Sequence, residues 1–216
     1  QIDILVDPGA GHTAYNRPMV FAYKPAPIQV TLYLCSIGLN AIDYRISDRY
    51  LEPNPHPKLS LEKILYLPHH FIYLPSNDIE MMDNCPYEST HKITFGSFNN
   101  FTKLNERVIQ TWAQILKAVP DSCLVFKSSL PLHCSATLEK YYERFENNGI
   151  SRERLTLLPY SSSYSEHLQS YHQMDIGLDP FPFGGHITSL EALWMGIPLI
   201  TLEGETAFGR VSGSFL

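Results

Sequence analysis

The segment DIGLDPFPFGGHITSLEALWMGIPLIT, residues 175–201, decides the fold. It begins with a short apolar strand that ends at Leu178 and continues through a loop rich in proline and glycine. Helical spacing of apolar residues follows over 189–195, and a second apolar strand is predicted over 198–202. A strand, a helix and a second strand in succession are the repeating unit of a parallel sheet covered by helices.

The same alternation extends over the region from Lys92 to the end of the chain. Further strands are predicted over 93–98, 123–127 and 155–158, and helices over 105–119, 137–148 and 165–172. In the first of these helices Val108, Trp112 and Leu116 recur at helical spacing. We therefore expect a doubly wound parallel sheet, whose ligands bind at the carboxyl ends of the strands.

The region before residue 92 has a different organisation. Apolar strands are predicted over 4–6, 28–34, 41–46, 65–67 and 71–74, with a glycine-rich turn at 7–11. Residues 77–91 show no clear period, so the predicted domains are a first lobe over 1–80, a linker over 81–91 and a second lobe over 92–216.

Composition limits the class of protein. Hydrophobic residues make up 44% of the 216 and charged residues 18%, which is enough for a sizeable core. The net charge of −6 argues against a nucleic-acid-binding surface. We find no signal peptide, no apolar run long enough to span a membrane and no C-x-x-C pair among the four cysteines. The expectation is a soluble cytoplasmic protein with free thiols.

The loop from Gly184 to Thr188 is the first candidate for a binding site. Adjacent glycines let a ligand approach the backbone, and a helix that begins there offers free N–H groups to a phosphate. His186 is placed to donate to the same group. The alternative is purely structural, because Thr188-x-x-Glu191 fits a capping box and Gly184-Gly185 fits an ordinary turn.

Three more candidates follow predicted strands or turns. Lys103 and Asn100 are placed to bind a diphosphate, although a single loop lysine is more often simply solvated. His167 is placed to pack on a nucleobase, or is an ordinary surface or core residue. The stretch containing His12 and Thr13 is either an acceptor-side loop or an ordinary turn. We find no G-x-S-x-G nucleophile motif and no H-x-x-x-H pair, and we expect no metal site.

Five blocks resemble a known family and run from one end of the chain to the other. They are DILVD…GHTAYNRP, FAYKPAPIQV, AIDYRISD, ITFGSFNNFTKLNERVIQTWAQILKAVP and DIGLDPFPFGGHITSLEALWMGIPLITLEGETAFGRVSGSFL. The chain resembles the catalytic region of the O-linked N-acetylglucosamine transferases and SPINDLY-like proteins, glycosyltransferase family 41. The resemblance implies an α/β fold with two Rossmann-like lobes of the glycosyltransferase-B type. The first, acceptor-side lobe would be incomplete, and the second, truncated at its C-terminus, would hold the sugar nucleotide.

The resemblance also implies roles for individual residues. Lys103 would be catalytic and stabilise the departing diphosphate. The implied substrate-binding residues are Asn100, Gly185, His186, Ile187 and Thr188 at the phosphates, His167 at the base, Glu191 at the ribose, and His12 and Thr13 on the acceptor side. Ile187 stands where the family has a threonine, so a hydroxyl is lost there while the backbone N–H remains.

The activity implied is an inverting, metal-independent transfer of N-acetylglucosamine from UDP-GlcNAc to serine or threonine hydroxyls of proteins. No cofactor is expected, and helical repeats outside this chain would select the acceptor proteins. Two alternatives stay open: O-fucosyl transfer from GDP-fucose, as in the SPINDLY branch, and a non-catalytic fragment that only binds a sugar nucleotide. Phe183 stands near the implied sugar pocket where a small residue is familiar, which leaves the donor sugar open.

Overall fold

The computed structural model describes residues 2–8, 17–32, 34–54, 60–70, 73–74, 85–127 and 135–216. The chain forms two compact units. Unit 1 comprises Gln1–Ile72 and Gly204–Ser214, and unit 2 comprises Tyr73–Glu203 and Phe215–Leu216. The predicted second lobe included residues 204–214, which group with unit 1. Each unit contains one parallel sheet, so the predicted fold class is confirmed.

Unit 1 is built on a four-stranded parallel sheet with the order β1-β2-β3-β4. Its strands are β1 (Ile4–Asp7), β2 (Ile28–Thr31), β3 (Tyr44–Asp48) and β4 (Lys63–Leu67), and its first helix is α1 (Pro18–Ala22). The predicted second strand begins at the same residue as β2 but ends three residues too late, and the predicted third strand is displaced by two to three residues from β3. Tyr73 and Leu74 are not in a strand, and the rest of the strand predicted over 71–74 lies outside the described residues. His12 and Thr13 also lie outside them.

Contacts with the turn after β3 explain why residues 204–214 belong to unit 1. The segment contains helix α7 (Ala207–Arg210), which is followed by a 3-10 turn over Ser212–Phe215. The Nε atom of Arg210 donates to the carbonyl oxygen of Leu51 at 3.0 Å. A Cβ on Gly213 would meet the hydroxyl of Tyr50 at 2.6 Å, so the segment lies directly against this turn.

Unit 2 is built on a five-stranded parallel sheet with the order β7-β6-β5-β8-β9. Its strands are β5 (Thr94–Ser97), β6 (Cys123–Lys127), β7 (Leu155–Leu158), β8 (Ile176–Leu178) and β9 (Leu199–Ile200). Its helices are α2 (Pro86–Thr90), α3 (Glu106–Ala118), α4 (Ser135–Asn147), α5 (Tyr164–Gln169) and α6 (Ile187–Trp194). The chain first builds outward from β5 to β7 and then returns to place β8 on the other side of β5. The topological switch point therefore lies between β5 and β8.

Helix α3 shows why the sequence pattern predicted this unit well. The side chain of Asn105 caps the helix by accepting a hydrogen bond from the N–H of Val108 at 3.1 Å. Trp112 and Leu116, on the apolar stripe, are almost fully buried against the sheet. Pro120 follows the C-cap residue Val119 and cannot continue the helix, because it has no N–H.

The segment predicted as a linker contains a short helix. In α2 the N–H of Tyr87 donates to one carboxylate oxygen of Asp175 at 2.8 Å, and the N–H of Thr94 donates to the other at 2.7 Å. Asp175 thus fastens residues 85–91 to the start of the second sheet. A five-residue helix is too short to produce a periodic signal in the sequence, so the pattern did not reveal it.

Neither membrane spans nor disulfides are found within the described ranges. No helix there has the length and apolar character needed to cross a bilayer. Cys35, Cys85 and Cys123 are free thiols.

Candidate functional site

The carboxyl ends of the strands in unit 2 surround a cavity of about 500 Å³. Its walls come from the segments that follow β5 and β7, from the last residue of β6 and from the first turns of α6. The lining residues are Asn99, Asn100, Lys103, Lys127, Tyr160, Ser161, Ser162, Ser163, Tyr164, His167, His186, Ile187, Thr188 and Glu191. The structure therefore brings most of the predicted site residues together at the switch point, where doubly wound sheets bind their ligands.

Lys103 lies in a 3-10 turn after β5 and reaches across to the loop before α6. Its Nζ donates to the carbonyl oxygen of Gly184 at 2.7 Å and to Oδ1 of Asn99 at 3.3 Å. The ring of Phe183 lies below the ammonium, with its centroid 4.6 Å away. Burial lowers the pKa of Lys103 to about 8, against the opposing effect of the Asp179 carboxylate. The group is a partly desolvated cation at the edge of the cavity.

Asp179 holds the other side of the same peptide group. The N–H of Gly185 donates to Oδ1 of Asp179 at 2.6 Å, and the hydroxyl of Thr201 donates to Oδ2 at 2.8 Å. The peptide between Gly184 and Gly185 is thus clamped, its carbonyl by Lys103 and its N–H by Asp179. The amide of Gly185 is already engaged, so it is not among the phosphate donors proposed below.

Glycine is required at 185 by packing. A Cβ there would overlap the hydroxyl of Ser189 and would lie 2.9 Å from Oδ1 of Asp179 and 3.0 Å from Oγ1 of Thr188. From the sequence, either the close approach of a ligand or an ordinary turn could account for this glycine. The structure explains it by the tight contact between the loop, Asp179 and the first turn of α6.

Helix α6 begins differently from a capping box. His186 is the N-cap residue, with no side-chain cap, and Ile187 is the first helical residue. Thr188 therefore lies inside the first turn, where its hydroxyl donates to Oδ1 of Asn99 at 3.1 Å. The capping-box alternative is wrong for this reason. Among the described residues the N–H groups of Ile187 and Thr188 meet no acceptor, as expected for the first turn of a helix.

Glu191 lies on the same helix and is directed to an aromatic cluster. Its Oε2 is 3.1 Å from Nε2 of His167 and accepts a hydrogen bond from the hydroxyl of Tyr171, also at 3.1 Å. The carboxylate is buried. Burial of Tyr171, helped by the charge of Glu191, raises the pKa of its hydroxyl, which remains a donor. The His167 ring faces that of Tyr164 at 6.3 Å between centroids and an interplanar angle of 28°.

Asn99 is a site residue that the sequence analysis missed. It is buried, and its Oδ1 accepts from both Lys103 and Thr188, joining the loop after β5 to α6. Asn100 was named instead; its Oδ1 accepts from the N–H and hydroxyl of Thr102 and caps the 3-10 turn. Asn100 nevertheless lines the cavity. The adjacent asparagines are equivalent as a sequence signal, and only the backbone direction distinguishes them.

Lys127 is the second residue that the sequence analysis missed. It ends the apolar strand β6 and is almost fully buried, yet it lines the cavity. A lysine that closes an apolar strand is typical of the start of a solvated loop. Its position in the sequence could have identified it as a site residue, because the carboxyl end of a central parallel strand lies at the ligand-binding edge of the sheet.

The described residues offer no clear metal site. Within them no group of three His, Cys, Asp or Glu side chains is arranged to hold a metal ion.

The strand order and the position of the cavity place unit 2 in the Rossmann-like class of α/β sheets. Residues 84–216 match the model of glycosyl transferase family 41. The chain belongs to this family.

Two kinds of relatives agree with the family match. Over its whole length the chain is 42% identical to the probable UDP-N-acetylglucosamine–peptide N-acetylglucosaminyltransferase SPINDLY of Hordeum vulgare. It is 31% identical, over 99% of its length, to the probable UDP-N-acetylglucosamine–peptide N-acetylglucosaminyltransferase SEC of Arabidopsis thaliana. A solved structure of a Thermobaculum terrenum O-GlcNAc transferase mutant is similar over the whole chain, with a TM-score of 0.89 and 34% identity.

The chain is much shorter than these proteins. It spans 23% of the Hordeum protein, 22% of the Arabidopsis protein and 41% of the solved Thermobaculum chain. The comparisons therefore establish the family and the glycosyltransferase-B type of fold.

Proposed function

We propose that the protein is an inverting glycosyltransferase that moves N-acetylglucosamine from UDP-GlcNAc to serine or threonine hydroxyls of proteins. The observation that carries the proposal is the convergence of Lys103, Asn99 and the first turn of α6 on one cavity. A desolvated ammonium and unpartnered helix N–H groups are what a diphosphate leaving group requires. The names of the relatives support the choice of donor and acceptor.

The proposed chemistry is a single displacement at the anomeric carbon. The bond from that carbon to the diphosphate breaks, its electron pair stays on the phosphate oxygen, and the acceptor oxygen forms the new bond. Negative charge increases on the diphosphate, where Lys103 and the N–H groups of Ile187 and Thr188 stabilise it. These groups supply the positive charge, so we assign no metal ion or cofactor. The acceptor hydroxyl loses its proton to a base as the new bond forms.

The nucleoside is proposed to lie at the other end of the cavity. Tyr164 and His167 provide aromatic surface for the base, and Glu191 provides a carboxylate for the ribose hydroxyls. His186 and Asn100 line the phosphate end. The acceptor proteins would be selected by helical repeats outside this chain. The free thiols suit the reducing conditions of the cytoplasm, where we place the protein.

The decisive test replaces Lys103 with methionine in the full-length protein, which removes the charge and keeps most of the volume. Transfer of labelled N-acetylglucosamine to a pool of serine- and threonine-containing peptides should fall by about 100-fold or more, as when one leaving-group donor is lost. Lys140→Met, on the exposed surface of α4, is the matched control and should retain full activity. Undiminished transfer by the Lys103 variant would refute the proposed function.

Fucosyl transfer from GDP-fucose is the second candidate. It is favoured by the higher identity to relatives named SPINDLY, 42% against 31% for SEC, since the resemblance links the SPINDLY branch to this donor. Thermal-shift titrations with UDP-GlcNAc and GDP-fucose separate the two, because only a ligand that binds the folded state raises the melting temperature. A shift with GDP-fucose alone would replace the first candidate by the second.

A further inference from the structure

Lys127 is a buried cation whose hydrogen-bond partners, among the residues that the structure describes, are uncharged hydroxyls. Its Nζ donates to the hydroxyl of Ser161 at 2.6 Å and to that of Ser170 at 2.8 Å. The Ser170 hydroxyl in turn donates to the carbonyl oxygen of Glu166 at 2.8 Å. Among the described residues Lys127 forms no ion pair within 4 Å. Within the part of the chain that the structure describes, two of the three ammonium N–H groups are thus occupied, which leaves one for a ligand.

Such an arrangement costs stability, because a buried ammonium without a nearby counter-charge is poorly solvated. Burial accordingly lowers the pKa of Lys127, with an opposing effect from the more distant carboxylates of Glu166 and Glu191. The face of Phe98, with its ring centroid 5.6 Å from Nζ, gives limited compensation. If only packing mattered, a methionine at the end of β6 would fill the same space with a smaller loss of stability. The cost therefore points to a ligand group that accepts a hydrogen bond.

The partners of Lys127 place it at the nucleoside end of the cavity. Ser161 begins the run of three serines, Ser161–Ser163, that leads to Tyr164 and His167, both of which line the cavity with aromatic rings. Lys103, by contrast, is fixed to Asn99 and to the loop before α6. The two lysines thus serve different segments, and the phosphate end already has its own cation.

We propose that Lys127 donates a hydrogen bond to a keto oxygen of the nucleobase of the donor, with Ser161 and Ser170 holding its ammonium in position. This inference rests on the proposed function. It holds for either candidate donor, since uracil and guanine both present a keto oxygen. It also gives Lys127 a role in binding that is separate from the stabilisation of the leaving group by Lys103.

The test compares the affinities of uridine and UDP for wild-type protein, Lys127→Met and Lys103→Met. Loss of a base contact should weaken uridine and UDP by the same factor, about 10-fold or more for a hydrogen bond from a charged donor. Lys103→Met should weaken UDP and leave uridine unchanged. If Lys127→Met lost affinity for UDP but not for uridine, the contact would lie at a phosphate and the proposal would be overturned. Unchanged affinity for both ligands would also overturn it. Guanosine and GDP replace the uridine pair if wild type binds only the guanine nucleotide.

A second measurement needs no variant and applies if Lys127→Met does not fold. Acetylation of lysines in the wild-type protein is followed by mass spectrometry with and without ligand. The nucleoside alone should slow labelling of Lys127, and inorganic pyrophosphate should slow labelling of Lys103 only. Labelling of Lys127 that the nucleoside leaves unchanged would refute the inference. Failure of wild type to bind either nucleotide would instead refute the proposed function, so the two failures are distinguishable.

Discussion

Deprotonation of Lys103 provides the sharpest prediction, because its pKa of about 8 lies within reach of an ordinary titration. UDP is itself the leaving group of the proposed reaction, so its affinity reports the interaction of the ammonium with the diphosphate. With a pKa near 8, about nine-tenths of Lys103 is charged at pH 7 and about one-tenth at pH 9. A bound diphosphate raises the pKa of the lysine, since an opposite charge favours the ammonium.

The Kd for UDP should therefore change little up to pH 7.5 and increase about 10-fold between pH 7 and pH 9. Calorimetry over this range is free of the titration of the terminal phosphate, which loses its last proton near pH 6. Tyr164 does not produce this change, because its pKa is raised. The main cause is burial, and the hydrogen bond with Tyr73 adds to it. Lys127 also has a lowered pKa, and variants of Lys103 separate the two lysines.

Two variants decide whether Lys103 is the titrating group. Lys103→Arg keeps its charge throughout this range, so the alkaline loss of affinity should disappear even if the Kd at pH 7 is higher. Asp179→Asn preserves an acceptor for the N–H of Gly185 but removes the carboxylate that raises the lysine pKa. Its alkaline loss should begin at lower pH than in wild type. A loss of affinity above pH 8 that persists in Lys103→Arg would refute the assignment.

Two further predictions concern the clamp and the core. In Gly185→Ala the new Cβ meets Asp179 and the first turn of α6, so the 184–185 peptide must move away from Lys103. Calorimetry should show a higher Kd for UDP while the far-ultraviolet circular dichroism stays native; an unchanged Kd would contradict the clamp. Leu116→Ala opens a cavity under α3 and should lower the free energy of unfolding by about 2–5 kcal/mol in urea titrations. Gln114→Ala, exposed on the same helix, should change it by about 0.5 kcal/mol or less, and equal losses would refute the predicted packing.

The strand and helix pattern of unit 2 could be predicted because its signals are local. The limits of β6 and β7 match the predicted ones, and Asn105 caps α3 one residue before the observed start. Predictions were less accurate in unit 1, where β2 ends at Thr31, three residues before the end of the apolar run. Hydrophobicity alone did not reveal where hydrogen bonding between strands stops.

The site was predictable at the level of segments and less so at the level of atoms. Lys103, His186 and Thr188 do line one cavity. Lys103 lies in the turn after β5, and the other two lie at the start of α6, so all three are at the carboxyl edge of the same sheet. Thr188 and Glu191 also fitted a capping box, and that pattern cannot show that the helix begins at Ile187. The partners of Glu191, His167 and Tyr171, are 24 and 20 residues away in sequence, so no local pattern could identify them.

The electrostatics of the cavity reconcile an acidic protein with an anionic ligand. The net charge of −6 argues against an extended anionic partner such as nucleic acid. Lys103 and Lys127, however, are partly or fully removed from water, and their nearest partners are carbonyl, amide and hydroxyl oxygens. Charges of this kind are weakly screened from a ligand that enters the cavity, so the site attracts one small anion while the net charge of the protein remains negative. Because burial of Lys103 outweighs the effect of the Asp179 carboxylate, binding of a diphosphate relieves part of the cost of that burial, which ties affinity for the diphosphate to the ionisation of Lys103.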